Sequence, residues 1–165
     1  ETYELIIKPN SFVIFEGIHA INPYFEQHLP SNSLFKVFIN TVSPFMLDGE
    51  KFVARRDIRL VRRIIRDDRF RNSPILNTLH MWKQVVRGEN EYMFPYVETV
   101  DYLIDTTHAY EPCIFAPLIL PMLKSVPADS EYVDIVNHLI EVMTRFEHIP
   151  VDKMPADSLL REFVG

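Results

Sequence analysis

Eight arginines fall between positions 55 and 71, in the run Arg55-Arg56-Asp57-Ile58-Arg59-Leu60-Val61-Arg62-Arg63-Ile64-Ile65-Arg66-Asp67-Asp68-Arg69-Phe70-Arg71. With Lys51 they give the window 51–71 a net charge of +6, in a chain whose total is −6. A cationic patch in an acidic protein points to a particular anion rather than to general stickiness. Arginine in preference to lysine suits planar, bidentate oxygen geometry, that of phosphate or carboxylate. Arg59, Arg62, Arg63 and Arg66 stand at i, i+3, i+4 and i+7. A helix would gather their guanidinium groups on one side, able to clamp a polyphosphate and to stabilise charge during phosphoryl transfer. The same run also fits a solvated basic face or a nucleic-acid contact. Net acidity, confinement to about one helix and the lack of basic–aromatic interleaving argue against nucleic acid.

A second candidate is Val13-Ile14-Phe15-Glu16-Gly17. An apolar strand ending in a carboxylate and then glycine sets Glu16 at the carboxyl edge of a sheet, where open α/β sheets bind ligands. A hard cation such as Mg²⁺ needs one or two such carboxylates beside water and substrate phosphates. The alternative is a carboxylate that caps the next turn. The aromatics Trp82, Tyr92, Phe94 and Tyr96 could stack on a base, but such residues more often belong to a core. The six histidines show no metal-ligand spacing, and only His19, just past the carboxylate strand, stands where it could act. Cys113 is the single cysteine, so no intrachain disulfide or multi-cysteine zinc site can form, and a reducing, cytoplasmic setting is expected. It reads as a small core residue. No G-x-x-x-x-G-K-[ST] loop, nucleophile elbow or Ser-His-Asp arrangement is present.

These residues need elements to hold them. The apolar run 11–16 predicts a strand buried on both faces of a parallel sheet. Weak alternation over 3–7 predicts another, turned by Pro9-Asn10. A helix is expected near 23–28, a strand over 34–40, a turn at Asp48-Gly49-Glu50 and a third strand over 100–105. Periodicity predicts a helix over 57–69, with Ile58, Val61, Ile64 and Ile65 on its apolar side and the arginines opposite. Asn72-Ser73-Pro74 closes it. A further helix runs over 75–86, ended by Gly88. The remainder reads as helix over 110–125 (interrupted or kinked at Pro112, Pro117 and Pro121), 130–146 and 156–163. Strands interleaved with helices predict an α/β domain with a largely parallel sheet. The length of 165 residues suits one domain, with 47% hydrophobic and 24% charged residues. No apolar run is long enough to span a membrane, and the N-terminus lacks the basic start of a signal peptide. The missing initiator Met and a count of only four glycines suggest a piece of a larger chain.

Together, Val13-Ile-Phe-Glu-Gly-Ile-His-Ala-Ile-Asn-Pro23, Asp57-Ile-Arg-Leu-Val-Arg-Arg-Ile-Ile-Arg-Asp67, Thr78-Leu-His-Met-Trp-Lys-Gln-Val-Val-Arg-Gly-Glu89 and Phe94-Pro-Tyr96 resemble the uridine kinase/phosphoribulokinase family of P-loop kinases. The ending Asp157-Ser-Leu-Leu-Arg-Glu-Phe-Val-Gly165 is similar to the tail of a bacterial branch whose kinase follows a threonyl-tRNA-synthetase-like domain. The resemblance covers nearly all 165 residues and implies a partial P-loop NTPase fold. That fold is nucleoside-kinase-like and three-layered, a mostly parallel sheet with flanking helices, here without its N-terminal strands. It implies a single domain over 1–165, with a lid at about 55–75 and a helical region at about 110–165. It further implies ATP-dependent phosphorylation of a nucleoside hydroxyl with Mg²⁺, homo-oligomers, and a missing N-terminal half of the same chain that carries the Walker A loop and the catalytic base.

By the same resemblance Glu16 is the acid near Mg²⁺, reached through water, and Arg63 and Arg66 contact substrate and phosphates. Arg59 and Arg62 support them, Asp67 orients Arg66, and Arg71 is a further phosphate contact. Asp101 matches an acid before the late strand, and the loop 105–109 would lie near the adenine. One departure stands out: family lids often continue Arg-Gly-Arg or Arg-Gly-Tyr, where this chain has Arg71-Asn72-Ser73, without the glycine hinge. A kinase-like domain that binds or regulates without catalysis is the alternative expectation.

Overall fold

The computed structural model describes residues 6–27 and 29–165. The strand expected over 3–7 lies largely outside these residues, and so does His28; Ile6 and Ile7 belong to no element. The fold is mixed α/β, with far more helix than strand.

The elements in chain order are α1 (Pro23–Glu26), β1 (Val37–Asn40), β2 (Phe45–Leu47), β3 (Glu50–Val53), α2 (Arg55–Arg71), α3 (Ile75–Tyr92), β4 (Tyr102–Asp105), α4 (Glu111–Lys124), α5 (Val133–Met143) and α6 (Arg161–Val164). Short 3₁₀ turns occupy Ser31–Ser33, Phe94–Thr99 and Val151–Lys153.

The core is helical. Ile58, Leu60, Val61, Ile64 and Ile65 of α2 are buried, as the periodicity of the run requires. They pack with Leu79 and Trp82 of α3, Ile114, Phe115 and Ile119 of α4, Leu139 and Met143 of α5, and Phe163 and Val164 of α6. α2 is central, touching α3, α4 and α6. Asp57 begins it by accepting from the Ala54 N–H at 3.0 Å, which fills one of the free donors of the first turn. Asn72 ends it in the left-handed conformation at φ 48° and ψ 39°, with the Ser73 N–H on the Asp67 carbonyl at 3.0 Å. Asn72 thus takes the backbone conformation that a glycine would supply, so the missing glycine leaves the helix stop intact.

β1 and β4 pair in parallel, Val37 beside Tyr102 through Asn40 beside Asp105. Their carboxyl ends therefore lie side by side, next to α2. The Thr106 N–H donates to the Asn40 carbonyl at 2.8 Å. The Asp105 carboxylate accepts from the Val42 and Ser43 N–H groups at 3.0 and 3.1 Å, and so joins the two loops at that edge. At the other edge Asp101 accepts the Lys36 N–H at 2.7 Å.

Several expectations are corrected. The run 11–16 forms no strand; Phe12, Ile14 and Phe15 are exposed, and among the described residues no strand pairs with it. The parallel sheet holds only two strands among the described residues, and every residue of β4 is exposed. The turn expected at Asp48-Gly49-Glu50 is present, as the tip of an antiparallel hairpin, β2–β3, with Asp48 and Gly49 at positive φ. Gly88 does not end α3, which continues to Tyr92 because one glycine costs a helix only about 1 kcal/mol. α4 is unbroken: Pro112 lies in its first turn, and Pro117 and Pro121 are carried inside it. The last two helices are shorter than the sequence suggested. No described helix is long and apolar enough to cross a membrane.

Candidate anion site along helix α2

A helix of 17 residues carries all eight arginines, and packing decides which of them can meet a ligand. Arg62 was expected on the solvent side with the others; it is buried instead. Its Nε donates to Glu111 Oε2 at 2.7 Å, its guanidinium also reaches the Thr106 carbonyl at 2.6 Å, and its Cζ lies 5.1 Å from the centre of the Phe163 ring. Every side of this group is occupied, so Arg62 is structural and cannot receive a phosphate. Arg69 donates to the Val164 carbonyl, Arg56 to Asn90 at 2.6 Å, and Arg55 stacks on Phe94 at 4.8 Å.

Arg59, Arg63 and Arg66, at i, i+4 and i+7, form one stripe. Arg59 sits at the carboxyl end of β1, where it donates to Asn40 Oδ1 and to the buried Glu89. Arg63 approaches Asp67 at 3.4 Å and Arg66 approaches Glu162 at 3.8 Å, both too long for a good hydrogen bond. In all three the Nε is buried and makes no hydrogen bond among the described residues, although the Arg63 Nε is itself the atom that lies 3.4 Å from Asp67. Glu89 Oε2 and Thr41 Oγ1, at the Arg59 end, are likewise buried and unpartnered. A buried donor left without a hydrogen bond costs about 1–3 kcal/mol, so an added acceptor along this stripe, whether water or an anion, would be favourable. Burial, and then repulsion from Arg71, push the Arg66 guanidinium below its ordinary pKa, with Asp67 and Glu162 only partly offsetting them. A guanidinium stays charged at neutral pH regardless, so an added anion would relieve this uncompensated charge.

Asp67 was expected to orient Arg66. It is buried, and its closest partners are Arg71 at 2.9 Å and Thr78 at 3.0 Å, with Arg63 beyond. It therefore holds Arg71 by a hydrogen bond and keeps Arg63 beside it as a longer ion pair, while its charge also acts favourably on Arg66. Arg71 is half exposed and keeps one side open to solvent. Asp101 is engaged at the amino edge of the sheet, away from the carboxyl end where the arginine stripe begins. The loop 105–109 is ordered by Asp105, by Arg62 on Thr106, and by Glu111, which accepts the His108 N–H at 3.0 Å.

Glu16 is exposed in a stretch without regular structure, and no hydrogen bond or ion pair joins it to the arginines. Among the described residues no group of three or more His, Cys, Asp or Glu could hold a metal. A lone exposed carboxylate does not by itself make a magnesium site. His19 is exposed beside it. Cys113 is half-buried rather than core; burial and then Glu147 push its thiol pKa up, which disfavours a reactive thiolate. Trp82 is buried as expected of a core aromatic, while Phe94 serves Arg55.

Four residues important to this site carried no signal in the sequence: Asn40, Glu89, Glu111 and Glu162. Each meets its arginine across 19 or more positions, beyond the reach of any helical or strand spacing. Comparison of the chain with family models, with curated proteins and with solved structures finds no match.

Proposed function

We propose that this chain is the C-terminal portion of a P-loop nucleoside kinase of the uridine kinase type, and that Arg63 and Arg66 receive the phosphates of its nucleotide. The observation that supports this is the row of Arg59, Arg63 and Arg66, whose buried Nε atoms make no hydrogen bond among the described residues and which begins at the carboxyl edge of a parallel strand pair. In such an enzyme ATP gives its γ-phosphoryl group to a nucleoside hydroxyl. Mg²⁺, arriving with the nucleotide, neutralises phosphate charge, and Glu16 is the acid that would meet it through water. This chain's own contribution is electrostatic: fixed guanidinium donors that need no reorganisation as charge develops on the transferring group.

The remaining strands and the phosphate loop belong, in this proposal, to a partner segment that covers the exposed faces of β1 and β4. Val37, Ile39, Tyr102, Leu103 and Ile104 are exposed there, although parallel strands are usually covered on both faces. Assembly into homo-oligomers would cover further apolar surface, and the cytoplasm remains the proposed setting.

Titration of the protein with inorganic triphosphate tests the anion site. Arg63→Ala and Arg66→Ala should each weaken binding about ten-fold, as expected for charge-assisted contacts. Arg62→Lys, with its group buried, should not weaken it beyond any loss of folded protein. Kinase activity should be absent from the 165-residue chain alone. Phosphorylation of uridine by the pure chain would overturn the division of labour proposed here.

A second reading, an anion-binding or regulatory domain without catalysis, is favoured by one observation: Glu16 is not joined to the arginine stripe. Equal triphosphate affinity with and without Mg²⁺, together with no gain of activity when an N-terminal half is supplied, would select it.

A further inference from the structure

Arg66 differs from its neighbours in the kind of partner it has. Its Nη1 lies 3.8 Å from Oε1 of Glu162, an approach without hydrogen-bond geometry, while its Nε is buried and unmatched. The Glu162 side chain is 56% exposed and makes no other ion pair among the described residues. Yet the backbone that carries it is firmly held. Phe163 and Val164 are buried in the core, Arg69 donates to the Val164 carbonyl, and the Arg161 side chain reaches back to the Met154 carbonyl at 2.9 Å. A loose carboxylate is thus delivered by a fixed segment to the edge of an unsatisfied guanidinium.

We propose that Glu162 is a built-in competitor: it occupies, weakly, the position at Arg66 that a phosphate group takes, and must swing away when a di- or triphosphate binds. The inference rests on the phosphate-binding reading of Arg63 and Arg66 and adds a regulator to that site. The carboxylate lowers affinity for any anion there, and favours polyphosphates, whose several charges can displace it, over single carboxylates or monophosphate, which cannot displace it as readily. Glu162 is exposed, so the swing needs only rotation of its side chain, while α6 stays docked.

The test is calorimetric titration of the 165-residue protein with inorganic triphosphate at low salt. Four forms are compared: wild type, Glu162→Gln, Arg66→Ala and the double variant. Removing one negative charge at this distance should tighten triphosphate binding about five-fold. The gain should fade above about 0.5 M salt, where charges this exposed are screened. In the Arg66→Ala background the same change should give almost no gain. Unchanged or weaker binding by Glu162→Gln, with Arg66→Ala still weakening it, overturns the competitor role and leaves the phosphate site standing. An equal gain in both backgrounds also overturns it, because the charge would then act at long range and not through Arg66. Failure of wild type to bind triphosphate, or binding indifferent to Arg63→Ala and Arg66→Ala, overturns the phosphate-binding reading itself, and this inference with it.

Discussion

Arg62 Nε donates to Glu111 Oε2 at 2.7 Å, and both side chains are buried. The pair joins α2 to the first turn of α4. The other Glu111 oxygen accepts the His108 N–H, while Arg62 reaches the Thr106 carbonyl just past β4. Phe163 covers the guanidinium from α6. An ion pair this deep is favourable only because its spare donors and acceptors are filled. Its effect is to set the loop after β4 against the arginine helix.

Breaking this pair from one side should be costly. Arg62→Ala or Glu111→Ala leaves a buried charge unmatched, and each should destabilise by about 3–5 kcal/mol. Replacing both, as Arg62→Met with Glu111→Leu, should cost less than the sum of the two single changes. Equilibrium urea unfolding measures this. Single variants within about 1 kcal/mol of wild type would show that the pair is not structural.

The end of α2 offers a conservative probe. Asn72 stands at φ 48°, where a side chain with a Cβ is strained unless it is Asn or Asp. Asn72→Ala should destabilise by about 1 kcal/mol, while Asn72→Gly should stay within about 0.5 kcal/mol of wild type. Thermal melts of the two variants decide. If alanine is tolerated as well as glycine, the left-handed stop is not what ends the helix.

What the chain reveals in one dimension follows from range. α2 was legible because Ile58, Val61, Ile64 and Ile65 repeat at helical spacing, and Asn72-Ser73-Pro74 marks its stop. β1 and β4 were legible as compact apolar runs. The strand expected over 11–16 has the same composition but lacks a partner among the described residues, and pairing is a non-local property that composition does not encode. The hairpin at Asp48-Gly49 was signalled by its tip, yet the flanking Phe45–Leu47 and Glu50–Val53 are too short to show alternation. At the site, the arginine register was readable, but not the division of labour within it. Arg62 and Arg63 are adjacent in sequence, yet Glu111, 49 positions from Arg62, ties the first into the core, while the second stays partly exposed beside Asp67.

Asp105 should give the fold an acid-sensitive joint. Burial acts to raise its pKa, but hydrogen bonds from the Ser43 and Thr107 hydroxyls and from the Val42 and Thr107 N–H groups outweigh it and hold the carboxyl well below the usual carboxylate range. A carboxyl whose folded value is depressed contributes stability that is fully present above the unfolded value, about 3.9, and is lost as pH falls through the folded one. The stability difference between wild type and Asp105→Asn should therefore be constant from about pH 8 to about pH 5 and shrink below about pH 4. Urea unfolding across that range checks it; a difference that grows on acidification would mean that the charge of Asp105 is not what secures the loop.

Asp67 and Glu162 both lie beside the arginine stripe, yet replacing them should move anion affinity in opposite directions. Asp67 is buried and holds Arg71 at 2.9 Å and Thr78 at 3.0 Å, with Arg63 at 3.4 Å. Removing its charge lessens repulsion of an anion, which alone would tighten binding. It also releases Arg63 from its fixed place, and a pre-set donor loses much of its value once it must be ordered on binding. Because the carboxylate is buried and shared, loss of orientation should win: Asp67→Asn should weaken triphosphate binding by about three- to ten-fold. That loss should persist at high salt, whereas the gain from Glu162→Gln should disappear. Thr78→Val, which removes one donor to Asp67 and no charge, should destabilise by about 1.5–3 kcal/mol and shift binding in the same direction as Asp67→Asn, less strongly. Tighter binding by Asp67→Asn would show that Asp67 acts on the anion as a counter-charge and not as the anchor of Arg63.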